Sequence, residues 1–134
     1  MTKYLWAYAG SAGVFVLGDF IWLGFVARNF YKEQLGFLML DRPLMGVAVG
    51  FYALYLVGLV IFGVSPGLRD GSWKMALLYG ALFGLFCYAT YDLTNLATLR
   101  NWPSIVSIVD ICWGVVLSGA AATAGYAVAS RFGS

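Results

Sequence analysis

Tyr88-Ala89-Thr90-Tyr91-Asp92-Leu93-Thr94-Asn95 lies inside an otherwise apolar run from Trp73 to Leu99. An aspartate at the centre of a membrane helix carries an insertion penalty of about 2.5–3.5 kcal/mol. Two other apolar runs each hold one aspartate, Asp19 and Asp110, and both occur as Asp-x-x-Trp. Acids in such positions need a reason, and the rest of the chain is read outward from them.

The solvent comes first. Of 134 residues, 62% are hydrophobic and only 10% charged. A soluble domain this small leaves much of its surface in water and cannot hide so much apolar area. Lipid is therefore the medium. The formal charge of +2 is scattered rather than clustered, which argues against a nucleic-acid partner. Cys87 and Cys112 lie within apolar runs and read as small packing residues, with no disulfide framework.

Four runs are long enough to cross about 30 Å of hydrocarbon, which takes roughly 20 helical residues. They are Leu5–Ala27, a second run opened by Asp41-Arg42-Pro43 and closed after Val64 by Ser65-Pro66-Gly67, Trp73–Leu99, and Pro103 to Ala129. The first is too long for a cleavable leader. Between the first two, Asn29–Asp41 is short and mixed, and predicts either an interfacial amphipathic segment or a loop packed on the bundle. Short connections predict antiparallel neighbours. The expected architecture is all-α: an antiparallel four-helix transmembrane bundle, a single domain over residues 1–134.

Gly46-x-x-x-Gly50, Gly80-x-x-x-Gly84 and the small-residue run Ser118–Gly125 fit close helix packing, and the same pattern is compatible with a homodimer. Lys3, Arg69, Lys74 and Arg131 fall on one side of the membrane, and Arg28, Lys32, Arg42 and Arg100 on the other. This balance leaves the orientation open. The second set defines what is called here the B side.

Helical rise of about 1.5 Å per residue gives each polar group a depth. From the B side, Asp19 and Tyr52 come out at roughly 13 Å and Asp92 and Asp110 at roughly 10 Å. Tyr88, Asp92 and Asn95 share one stripe, with Tyr91 at its border; Ser107, Asp110 and Trp113 share another, and Asp19 and Trp22 a third. The expectation is one polar layer, with Asp19, Asp92 and Asp110 as acid–base candidates. Trp22, Tyr52, Tyr88, Tyr91, Asn95, Arg100, Ser107 and Trp113 are the candidate ligand contacts, Trp22, Tyr52 and Trp113 as aromatic walls. Three unpaired carboxylates would cost on the order of 8–10 kcal/mol. Arg100 is the best placed of three arginines to reach down and offset that cost, with Arg28 and Arg42 behind it; protonation or a bound cation are the other routes. The plainer alternative makes the aspartates interhelical glue. Trp6, Trp73 and Trp102 read as interfacial belt residues.

Histidine is absent, which removes the usual haem ligand and His-dependent nucleophilic or metal chemistry. Every lysine sits at a segment end, so a buried Schiff base is excluded, and no phosphate-cradling loop occurs. Carboxylate chemistry remains: acid–base work, a hard cation held by oxygens, or proton coupling. No metal ligand set and no cofactor is assigned.

Gly18-Asp19-Phe20-Ile21-Trp22-Leu23-Gly24, Phe51-Tyr52-x-x-Tyr55, Tyr91-Asp92-Leu93-Thr94-Asn95-x-x-Thr98-Leu99-x-x-Trp102-Pro103 and Asp110-x-x-Trp113-Gly114 together resemble a family of small bacterial membrane proteins, the domain of unknown function DUF2177. The resemblance spans essentially the whole chain and transfers no activity. It implies a multi-pass protein of the bacterial inner membrane, and its company beside lipid-tailoring enzymes tilts the substrate class toward lipids. The leading expectation is an intramembrane pocket for a lipid or amphipathic small molecule, in a membrane enzyme or an accessory subunit. The rivals are a proton- or cation-coupled transporter acting as an oligomer, and a structural subunit without ligand.

Overall fold

The structure, a computed structural model, describes residues 2–133. It is all-helical, and four of its helices are long and apolar enough to cross a membrane. They are α1 (Thr2–Val26), α3 (Met45–Asp70), α4 (Trp73–Thr98) and α5 (Ser104–Phe132). A short helix, α2 (Arg28–Leu35), sits between the first two spans where an amphipathic segment is expected. Helix is the natural state here because lipid offers no partner to an unpaired backbone N–H or C=O.

Two boundaries differ from expectation. Asp41-Arg42-Pro43 does not start α3. The helix begins at Met45, after an extended Leu44 and without a side-chain cap. Neither does Ser65-Pro66-Gly67 end it. A π-wound turn over Val60–Val64, in which the Ser65 N–H reaches back to Val60 C=O, precedes Pro66. Proline supplies no N–H and crowds the preceding turn, and a wider turn absorbs both effects. The helix runs on to Asp70 and stops at Gly71, whose φ of +62° is the left-handed geometry glycine tolerates. Ser72 then caps α4, accepting the Met75 N–H at 3.3 Å.

The tightest seam runs between α4 and α5. Gly80 lies against Ser118 and Ala122, Gly84 against Gly114 and Ser118, and Tyr88 covers Gly114. On the other flank of α5, Ser11 Oγ of α1 donates to Ala121 C=O at 2.9 Å. Phe15, Leu59 and Val64 are wholly buried in the main core, with Leu117, Ala121 and Ala122. A smaller core of Ala27, Tyr31, Trp102 and Val106 ties α2 to the start of α5. Leu5, Leu17, Phe25, Leu54, Phe86 and Val116 are exposed, as the outer surface of a lipid-immersed bundle requires.

α3 meets α4 along a seam graded in side-chain size. At the Gly71 end, Gly67 lies against Ala76, and a Cβ on Gly63 would come within 3.0 Å of Gly80 Cα. Further along, Gly58 faces the Phe83 ring, and Tyr55 packs on Phe83 and Tyr88. Beyond Tyr55 no residue of α3 toward Met45 is buried, and Gly46 and Gly50 have nothing within reach. The expected packing role holds for Gly80 and Gly84 and fails for Gly46 and Gly50. Small residues let the helices touch at one end, and rings keep them apart at the other.

Candidate functional site

The space opened by those rings is a cavity of about 470 Å³. α1 contributes Asp19 and Leu23, α3 contributes Ala48, Phe51, Tyr52 and Tyr55, α4 contributes Cys87, Tyr88 and Tyr91, and α5 contributes Asp110. Leu23, Phe51 and Tyr91 are exposed and form its rim, while Asp19 and Tyr55 are buried at its floor.

Asp19 is held from two sides. The Tyr52 hydroxyl donates to its Oδ2, and Trp113 Nε1 donates to Oδ1 at 3.2 Å. One turn later Trp22 begins the π-wound last turn of α1, where Ala27 N–H bonds Trp22 C=O at 2.7 Å. Its indole lies on that of Trp113, with centroids 4.4 Å apart and planes 7° from parallel. The two tryptophans were expected to enclose a ligand; instead they stack on each other, and neither lines the cavity.

A second chain of bonds starts from the same stack. Trp22 Nε1 donates to the Tyr31 hydroxyl at 3.2 Å, and that hydroxyl donates to Asp110 Oδ1 at 2.9 Å. Burial pushes the Tyr31 pKa well above the ordinary phenol range; Asp110 and Asp92 push the same way and the Trp22 bond opposes them. Tyr31 therefore keeps its proton and acts as a donor. Sequence reasoning missed this residue, because Asn29–Gln34 shows only mixed polarity and gives no sign that one ring turns inward.

Asp92 is wholly buried, and neither carboxylate oxygen has a hydrogen-bond partner. Its side chain faces that of Asp110, behind the cavity wall. Arg100 does not reach it. It stays exposed in the α4–α5 connection, as Arg28 and Arg42 stay exposed elsewhere, because a guanidinium left in the hydrated layer keeps its solvation. The partners of Asp19 and Asp110 are tyrosine and tryptophan instead.

Ser107 serves the backbone. Its Oγ donates to Asp92 C=O at 2.8 Å and accepts from Trp102 Nε1 at 3.0 Å. Trp102 is thus a buried strut between α4 and α5, whereas Trp6 and Trp73 are exposed as belt residues should be. Among the described residues, no three His, Cys, Asp or Glu side chains gather closely enough to hold a metal ion.

A family model described as a predicted membrane protein, DUF2177, matches residues 4–127. The chain belongs to this family. No curated protein and no solved structure matches it. The DUF2177 match covers Asp19, Asp92 and Asp110, both stacked tryptophans and Tyr31.

Within this DUF2177 bundle, the structure brings Asp19, Tyr52, Tyr88, Tyr91 and Asp110 onto one cavity and sets Asp92 behind it. Trp22, Trp113 and Ser107 support that wall from outside the cavity. Asn95 is half-buried beside Tyr91, off the cavity, and Arg100 is remote from its lining. Leu23, Ala48, Phe51, Tyr55 and Cys87 line the cavity but are not among the contacts expected from sequence. Apolar residues in an apolar helix carry no mark showing which of them face a gap.

Proposed function

We propose that this DUF2177 protein binds a lipid or other amphipathic small molecule in the cleft between α1, α3 and α4, within the bacterial inner membrane. The observation that carries the reading is a cavity lined by the buried Asp19 and the half-buried Asp110, with Leu23, Phe51 and Tyr91 exposed at its rim. A polar head belongs at the carboxylates and an apolar tail at the rim. Asp19 and Asp110 contact the head, Tyr52 and Tyr31 hold the two acids in place, and Tyr88 and Tyr91 flank the ligand. The spans alternate in direction in this reading. Support comes from the α4–α5 register, where Gly80, Gly84 and Asp92 meet Ala122, Gly114 and Ser107 in descending order.

The test is native mass spectrometry of gently extracted protein. Wild type retains an amphiphile, and Leu23→Trp, which fills the rim, loses it. Retention unchanged by Leu23→Trp overturns the assignment.

One observation favours a second reading. Asp92, buried without partners beside Asp110, suits a carboxyl that carries protons, as a proton- or cation-coupled transporter needs. Four spans are few for that task, so paired protomers are required, with the open Gly46–Gly50 stripe available to a second copy. Proteoliposome flux abolished by Asp92→Asn, with amphiphile retention intact, would select this alternative.

A further inference from the structure

The polar groups around the cavity have one character. Among the described residues, Asp19 and Asp110 are the acids that line it, its other polar side chains are tyrosines and Cys87, and no lysine or arginine is found there. Three hydroxyls around the acids are committed to partners, while Tyr88 and Tyr91 add two phenols on the cavity itself, each able to donate or accept. Tyr52 donates to Asp19, Tyr31 donates to Asp110, and the Tyr55 hydroxyl shares a 2.6 Å hydrogen bond with Ser118 Oγ. Asp110 takes the Tyr31 hydroxyl on Oδ1. Behind it stands Asp92, wholly buried with both oxygens unpartnered. Two acids face the cavity, and among the described residues no side chain on it carries a positive charge.

We propose that the cavity selects an amphiphile with a cationic amine head, the ammonium seated between Asp19 and Asp110 and the alkyl chain leaving past Leu23 and Phe51. This rests on the amphiphile-binding reading and specifies its ligand class. An ammonium brings three donors and no acceptor, the complement of what the wall offers. A phosphate head would bring only acceptors and negative charge to a site where two acids already stand. A compact divalent cation fits less well, since it needs several oxygens converging on one point, and no such group of side chains gathers among the described residues. An ammonium is less demanding in geometry and needs only the carboxylates that α1 and α5 bring to the cavity.

The experiment uses the full chain in a non-ionic detergent and three probes with the same chain: dodecylamine, dodecanol and dodecyl phosphate. Affinities are measured at neutral pH by displacement of the co-purified amphiphile. The expected order is dodecylamine first, about tenfold or more ahead of dodecyl phosphate, with dodecanol between, as one charge-assisted contact predicts. Asp110→Asn should erase most of the amine's advantage and leave dodecanol unaffected. Should that variant fail to fold, the wild-type ranking and retention of the preference by Asp110→Glu decide the matter. If the three probes bind equally, or the phosphate binds best, the charge selection is wrong while the amphiphile cleft stands. If none of them competes, the cleft reading falls and this inference with it.

Discussion

The indole of Trp22 lies flat on the indole of Trp113, and each sends its N–H to a different acid-bearing arm of the site. Trp113 reaches Asp19 directly, and Trp22 reaches Asp110 through the Tyr31 hydroxyl. One stacked pair thus aligns carboxylates that sit on α1 and α5.

The two halves of that stack are unequal. Trp113→Phe keeps an aromatic ring but strips the donor from Asp19 Oδ1, leaving a buried carboxylate oxygen unpaired. Trp22→Phe leaves Tyr31 still donating to Asp110. The first substitution should cost about 1–3 kcal/mol and the second clearly less. Thermal unfolding of both variants in the same detergent checks the order, and equal losses would contradict it.

Tyr31 is the clasp between α2 and the bundle. Tyr31→Phe removes the hydroxyl that donates to Asp110 Oδ1 and should loosen α2 rather than unfold the spans. Faster hydrogen exchange over residues 28–35, with α4 and α5 unchanged, is the expected outcome. Uniform acceleration across all helices would show the bond to be global.

The graded seam between α3 and α4 makes opposite forecasts for two pairs of glycines. Gly63→Leu drives a side chain into the Gly80 backbone of α4, Gly80→Leu drives one into Ala122 and Ser118 of α5, and each should destabilise by about 1–3 kcal/mol. Gly46→Leu and Gly50→Leu meet open space and should shift stability by no more than about 0.5 kcal/mol. Unfolding in a denaturing detergent titration distinguishes them.

Asp92 separates glue from function. A carboxylate that held the helices together would accept from donors, and among the described residues no N–H or hydroxyl donates to this one, whose facing polar group is another acid, Asp110. Asp92→Asn keeps its shape and removes its capacity for charge, so stability should hold or rise. A fall of more than about 1 kcal/mol would restore the structural role.

Much of this was legible in the residues. The four spans follow from apolar length, because hydrocarbon enforces helix wherever a chain crosses it. Asp19 and Asp110 reaching one cavity follows from counting helical rise from the membrane edge. Pro66 misled, since its helix-breaking habit was absorbed by a π-wound turn whose cause is distributed over several residues. Trp102 misled too: a tryptophan near a helix end usually marks the interface, and here it is buried as a strut.

Sequence alone determined that the chain lives in lipid, that it has four spans, and which acids must be accounted for, since each is a local balance of hydrophobicity and length. Tertiary structure decided what those acids touch. Whether an indole walls a ligand or stacks on a second indole, whether an arginine reaches inward, and where two helices part all depend on crossing geometry. That geometry is set by side-chain volumes summed along a seam, from Gly63 against Gly80 to Tyr55 against Tyr88, and no single position carries it.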